Sequence, residues 1–469
     1  MSTDITQDRR ARATDEPPAA GSMPTWLATS ERVLFPRAAA ERPAITPGRA
    51  LVMACVVALG LLLSLLRHGI GAWTTIWAED GEVFLTDALA TGLPEALLDP
   101  YAGYLHVIPR VVAEVVSWFP VALADTLLAG SGAALAVLAA LVTYRASEGH
   151  IRSPGLRLLL AVTVLLVPTA GAETPNSIAY SQWYLAAAGF WVVLWRPRTT
   201  TSGVAAGSFL GAVALSAPIL VLASPVVAMR GAHAWRHRSA PGAALVTGAA
   251  IGIAVQMIAV LLLPEAAVET AHEGSLKHAW LIRVTGPLLP GPDLTAELWL
   301  QEGTGAFAWL TLCAIPLMVA PFVRADARVR TVGFAALGLA VVVLVVSELS
   351  RNAIGALTWP GSATSDVASR YTVVPVVLVV SAVLVRADLA IRRSQPARAS
   401  LVLVATSTAV ALSLGAGYDV GGDDRLGRGW DDRLASARLA CGPDVRSVSV
   451  PIAPTSEWTV EVPCERLRG

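Results

Sequence analysis

Long apolar runs, separated by short polar stretches that carry arginine, dominate the chain. A helix needs about 20 such residues to cross a hydrocarbon core of ~30 Å. Runs of that character fall at 50–66, 121–143, 156–170, 182–195, 242–263, 306–322, 331–348, 371–385 and 399–415. The run 203–229 is flanked by arginine on both sides and has Pro218 near its middle. It predicts a hairpin of two short helices in place of one span. The pattern predicts an all-α integral membrane protein with about eleven transmembrane helices.

Arginine placement orients these runs, because the loops rich in basic residues stay on the cytoplasmic side. Residues 1–48 are polar and arginine-rich, and no short apolar h-region with a small-residue cleavage site opens the chain. They predict a flexible cytoplasmic N-terminal tail, not a removable signal peptide. The polytopic domain is then 49–416, with outer loops 67–120, 171–181, 264–305 and 349–370, and 417–469 is an extracytoplasmic C-terminal tail. The stretch 105–119 is too short to span. Its polar residues His106, Arg110, Glu114 and Ser117 share one helical stripe, which predicts a helix lying in the membrane interface.

Composition agrees with a lipid solvent: 54% of residues are hydrophobic and 15% charged. Soluble domains carry about 25% charge. Net charge is zero, which indicates no nucleic-acid partner. The basic residues are almost all arginine, and with abundant alanine and glycine this suggests a high-GC bacterial genome; the expected location is a bacterial cytoplasmic membrane, crossed many times. Cys55 and Cys313 lie in apolar runs and read as packing residues. Cys441 and Cys464 lie in the polar tail, where an outside location permits a disulfide. Within 446–462, Val448 and Val450, then Trp458, Val460 and Val462, alternate as in a small β-hairpin.

Candidate chemistry gathers outside the spans. Asp125 and Glu348 sit near outer span ends, and Gln256 is the main buried polar side chain. So little midplane charge counts against an ion-coupled transporter. The lone lysine, Lys277, precedes His278, so no phosphate-cradling G-x-x-x-x-G-K-[ST] exists, and neither H-E-x-x-H nor G-x-S-x-G is found. The outer loops instead carry WAEDGEVF at 77–84, PYAGYLHVIPR at 100–110, ETPNSIAYSQW at 173–183 and SRY at 369–371. Acids from two loops of one compartment, with arginine and histidine nearby, suit the transfer of a sugar from a phosphate leaving group to a hydroxyl. A carboxylate takes the acceptor proton, and cations stabilise charge growing on the phosphate.

An acidic pair after the first span, interfacial helices in the first outer loop and a second acid after span three resemble the GT-C class of membrane glycosyltransferases. The resemblance covers roughly the first 200 residues and the element Ser369-Arg370-Tyr371. It implies a polyprenyl-phosphate sugar as co-substrate, a glycan or glycolipid acceptor, and membrane lipid as surroundings. Glu79 or Asp80 matches the first-loop acid and general base, Glu173 the second acidic position, and Arg370 a donor-phosphate arginine. His106, Arg110, Asn176, Gln182 and Tyr371 complete the expected binding set. Neither loop has a D-x-D pair, and the second site holds one carboxylate, which argues against a metal-dependent mechanism. Two other classes stay open: a transporter or flippase of lipid-linked sugars, and a non-catalytic scaffold of an envelope-assembly complex.

Overall fold

The computed structural model describes residues 33–36, 46–67, 69, 71–171, 173–263, 276–288, 292–302, 305, 322–323, 325–351, 369–416 and 429–468. The chain is mostly helical. Among the described residues, five stretches are long and apolar enough to cross a membrane: Val121–Gly149, Ala240–Leu262, Ala327–Ser350, Ser369–Arg393 and Pro396–Gly415. Each coincides with an expected span. The run at 306–322 lies outside the described residues except for its last position.

The named helices are α1 (Pro47–Leu66), α2 (Val107–Ser117), α3 (Ala124–Ala146), α4 (Pro154–Leu165), α5 (Ser181–Leu194), α6 (Thr200–Ala214), α7 (Ser224–Arg236), α8 (Ala240–Leu262), α9 (Ala327–Arg351), α10 (Val373–Arg393), α11 (Pro396–Ala416) and α12 (Trp430–Ala440). The expected spans at 156–170 and 182–195 are helices of 12 and 14 residues. The former ends at Leu165, and the chain then turns through Pro168 to Gly171, which has φ 55°. The stretch 203–229 is indeed broken: α6 ends at Ala214 and α7 begins at Ser224, with a tight turn Pro218–Ala223 between them.

Packing follows from side-chain size. Helix α5 is buried on all sides except at Phe190, and α10 is buried over most of its length; they form the centre, with α3, α4, α6 and α9 around them. Helices α6 and α8 meet through glycines. A Cβ on Gly207 would lie 2.5 Å from the Ala244 carbonyl oxygen, and one on Gly252 2.5 Å from that of Gly211. Without a hydrophobic force between helices in lipid, such small residues let backbones approach closely and gain dispersion contacts.

The bundle has two polar ends. At one, Asp388 of α10 accepts backbone N–H bonds from Arg152 (3.0 Å) and Ser153 (2.8 Å) and pairs with Arg392 (2.9 Å). Arg145 pairs there with Glu148 at 2.7 Å. At the other end stand the residues of the loops expected outside. The 16 residue steps from Thr372 to Asp388 separate these ends by about 24 Å of helix.

One expectation changes. The polar stripe of α2 faces protein: His106, Arg110 and Ser117 are buried, whereas Val111, Val115 and Trp118 are exposed. The helix turns its apolar side outward. The C-terminal tail packs against the bundle. Strands β1 (Ser447–Pro451) and β2 (Thr459–Pro463) pair antiparallel, with Val448 opposite Val462, and Cys441 and Cys464 form a disulfide. Trp430 of α12 donates to the Val121 carbonyl at 2.8 Å, and Arg466 to that of Ser117 at 3.2 Å. The tail thus caps the loop-bearing end. Cys55 is free and exposed, and Cys313 lies outside the described residues.

Candidate functional site

The segment after α1 leaves an isolated parallel bridge between Trp77 and Ala453 and enters a π-helical turn, Asp80–Leu85. The Ala78 N–H donates to the Ala453 carbonyl at 2.7 Å, and Ala78 itself has φ 35°. A non-glycine residue in the left-handed region is strained and persists only where its surroundings hold it. That conformation sends two successive carboxylates into different environments.

Asp80 is 2% exposed and is wrapped by the second loop. Its Oδ1 accepts from Ser177 Oγ and the Ala179 N–H, each at 2.9 Å, and its Oδ2 from the Ile178 N–H at 3.0 Å. It caps no helix with its side chain; the turn begins without a side-chain cap. Burial pushes its carboxyl up to about 7 even against these three donated bonds. Glu79 is half-buried and accepts from the Tyr180 hydroxyl at 2.6 Å. Burial, opposed in part by the charge of Arg370, holds the Tyr180 phenol well above its ordinary value, so it stays protonated and donates.

Glu173 joins the third motif to the same loop. Its Oε2 lies 2.7 Å from Arg370 Nη1, and its Oε1 accepts from the Arg370 backbone N–H (2.9 Å) and Ser369 Oγ (3.1 Å). The guanidinium carbon stands 5.1 Å from the Tyr180 ring centroid and 4.9 Å from that of Tyr371. Tyr371 packs edge-on against Trp183 at 5.4 Å. Tyr180 is therefore the hinge of the site: its hydroxyl serves Glu79 and its face serves Arg370. The Arg370 side chain keeps 26% exposure. The two acidic loops and the SRY element do converge.

The other expected residues form the support. Arg110 pairs with Asp87 at 2.8 Å and lies 3.5 Å from Asp99, and at 1% side-chain exposure it is buried away from a donor phosphate. Asn176 does not face a sugar either. With φ 58°, it accepts from Ser64 Oγ at 2.8 Å and donates to the Ser64 carbonyl at 3.0 Å, tying the second loop to α1. His106 stacks on Tyr104 with centroids 4.1 Å apart, and Gln182 donates to the Tyr104 hydroxyl at 3.1 Å. Gln256 of α8 closes two bonds with the backbone of Leu105, which satisfies its buried amide.

Sequence reasoning did not single out Tyr180, Ser177 or the hairpin's contact with the site. Tyr180 lies within the second-loop motif, but no spacing marks its hydroxyl. The hairpin touches the acidic turn directly: Glu82 accepts from the Thr459 N–H and Thr86 from that of Glu461, each at 3.2 Å. Among the described residues, no group of three or more His, Cys, Asp or Glu side chains is placed to hold a metal ion. No family model, curated protein or solved structure matches the chain, and its site stands on geometry alone.

Proposed function

We propose that the chain is a membrane glycosyltransferase that moves a sugar from a polyprenyl-phosphate donor to a cell-envelope glycan or glycolipid. It crosses a bacterial cytoplasmic membrane about eleven times, with the N-terminus inside and the site and C-terminus outside. The observation that carries this reading is the meeting of a half-buried carboxylate, Glu79, with an arginine, Arg370, across one tyrosine.

In this mechanism the acceptor hydroxyl oxygen attacks the anomeric carbon as the bond from that carbon to the phosphate oxygen breaks. Glu79 takes the hydroxyl proton. The polyprenyl phosphate leaves with the bonding electrons, and Arg370 offsets the growing negative charge. Glu173 grips Arg370 through one nitrogen and its backbone N–H, which fixes the direction of the rest of the guanidinium. Asp80 positions: its three accepted bonds hold the second loop, and with it Tyr180, against Glu79. Trp183 and Tyr371, both buried, pack edge-on and brace Arg370 from behind the site.

The test is incubation of the purified protein with a panel of polyprenyl-phosphate sugars and envelope glycan or glycolipid acceptors. Sugar transfer, or slow hydrolysis of the donor, is the expected result. Donor binding without turnover of any panel member would favour a flippase.

A further inference from the structure

The opposite end of the bundle gathers buried polar nitrogens that the described residues leave without hydrogen bonds. His150, just beyond α3, is 1% exposed and lies 6.0 Å from the Trp191 ring. Neither of its ring nitrogens has a hydrogen-bond partner; the Leu34 backbone approaches without completing one. Arg230 of α7 is 2% exposed. Its Nη1 donates to the Val193 carbonyl at 3.3 Å, its Nε has no partner, and its guanidinium covers the Phe35 ring at 4.6 Å. Arg328, in the first turn of α9, has buried Nε and Nη2 atoms without partners. Both arginines are close enough to act electrostatically on His150.

Asp326 and Asp388 act on Arg328 electrostatically, but their hydrogen bonds go to other groups. Asp388 caps Arg152 and Ser153 and pairs with Arg392. Asp326 accepts from the Val329 N–H at 2.9 Å and lies 3.6 Å from Arg393. Arg152 and Arg392 add further positive charge beside Arg328. A buried donor left unmet is costly, more so when charged, and folded proteins keep few of them. Two arginines with such donors, both acting on one buried imidazole, describe the complement of an anion. Guanidinium forks match the tetrahedral oxygens of phosphate in particular.

We propose that His150, Arg230 and Arg328 form a second binding site, at the arginine-rich end, for a phosphate-bearing anion, with Leu34 and Phe35 as its cover. Burial and the two arginines hold the His150 imidazole down at about 3, and burial pulls Arg230 down to about 9. The imidazole is therefore neutral and serves as a hydrogen-bonding group, and the two guanidiniums carry the charge. The phosphate can be that of a lipid headgroup or a free ion, and the site does not depend on the glycosyltransferase reading.

The test uses full-length protein in detergent, titrated with inorganic phosphate by calorimetry. In parallel, it is mixed with phosphatidylglycerol or, as the zwitterionic control, phosphatidylcholine, and bound lipid is counted by native mass spectrometry. One saturable equivalent is expected in the wild type. Affinity should fall at least about tenfold in Arg328→Gln and in Arg230→Gln, the loss of a charge-assisted contact, and stay unchanged in Arg393→Gln on the exposed rim. Phosphate binding alone would identify a free anion as the ligand, and binding of phosphatidylglycerol alone a headgroup. If Arg230→Gln does not fold, Arg328→Gln decides. Wild-type protein that binds neither ligand above the phosphatidylcholine control would overturn the proposal. So would equal binding in the Arg328→Gln and wild-type proteins.

Discussion

Asp80 accepts three hydrogen bonds from one loop, and an asparagine there supplies only one carbonyl oxygen and turns an amide N–H₂ toward a donor. Asp80→Asn should therefore destabilise the fold by on the order of 1–3 kcal/mol. Thermal unfolding in detergent reads this as a lowered midpoint. Asp80 also sets a pH dependence. Its carboxyl titrates near 7 when folded and at its ordinary 3.8 when unfolded. Between those values the folded chain holds a proton that the unfolded chain has released, so this contribution is greatest below pH 3.8 and is lost as pH rises through 7. The unfolding midpoint of the wild type should fall across that window, and Asp80→Asn should flatten the fall. A midpoint independent of pH in both proteins would contradict the assignment. The acidic pair was legible in the sequence as WAED, but the division of labour within it was not. Adjacent residues on one turn differ only through what the distant loop 177–182 brings to them.

Elements explain why that turn holds its shape. A Cβ on Gly81 would lie 2.5 Å from Ile452, 2.7 Å from Val460 and 2.8 Å from Ile76, so the hairpin presses directly on the π-helical turn. Gly81→Ala should displace the hairpin, seen as faster hydrogen exchange at the Thr459 and Glu461 amides, which donate to Glu82 and Thr86. The disulfide closes a span of 23 residues, and on the loop-entropy model contributes about 3 kcal/mol. Replacing both cysteines by serine should lower the midpoint and loosen residues 76–86 together with the tail. Unchanged exchange at 76–86 would show that the tail merely rests there. The alternation of Val448, Val450, Val460 and Val462 and the two cysteines made the hairpin legible in the sequence alone. Its docking was not legible, because the bridge from Trp77 to Ala453 joins residues 376 apart with no shared pattern. The same limit hid the α6–α8 contact, where Gly207 and Gly211 meet Ala244 and Gly252.

At the scale of the whole molecule, hydropathy located the five long apolar helices, since each is a continuous run that only burial or lipid can satisfy. It located the shorter ones less well. Helices α4 and α5 owe their place to packing around them, not to length. Arginine placement grouped Arg152 with Arg328 and Arg392, and they do share one end. If that end is cytoplasmic, cysteines at exposed Arg198 and His237 should resist an impermeant thiol reagent in whole cells, while those at Thr91 and Glu457 react, in a background lacking Cys55 and Cys313. Labelling of Arg198→Cys from outside would reverse the topology. The central claim is that Glu79 takes the acceptor proton at the outer face. It is tested most directly by measuring transfer from a polyprenyl-phosphate sugar by Glu79→Gln beside wild type, with the unfolding midpoint of each recorded on the same samples. Loss of one general base should cut the rate by about 10²–10⁴ while the midpoint stays unchanged. A Glu79→Gln protein that turns over as fast as wild type would contradict it.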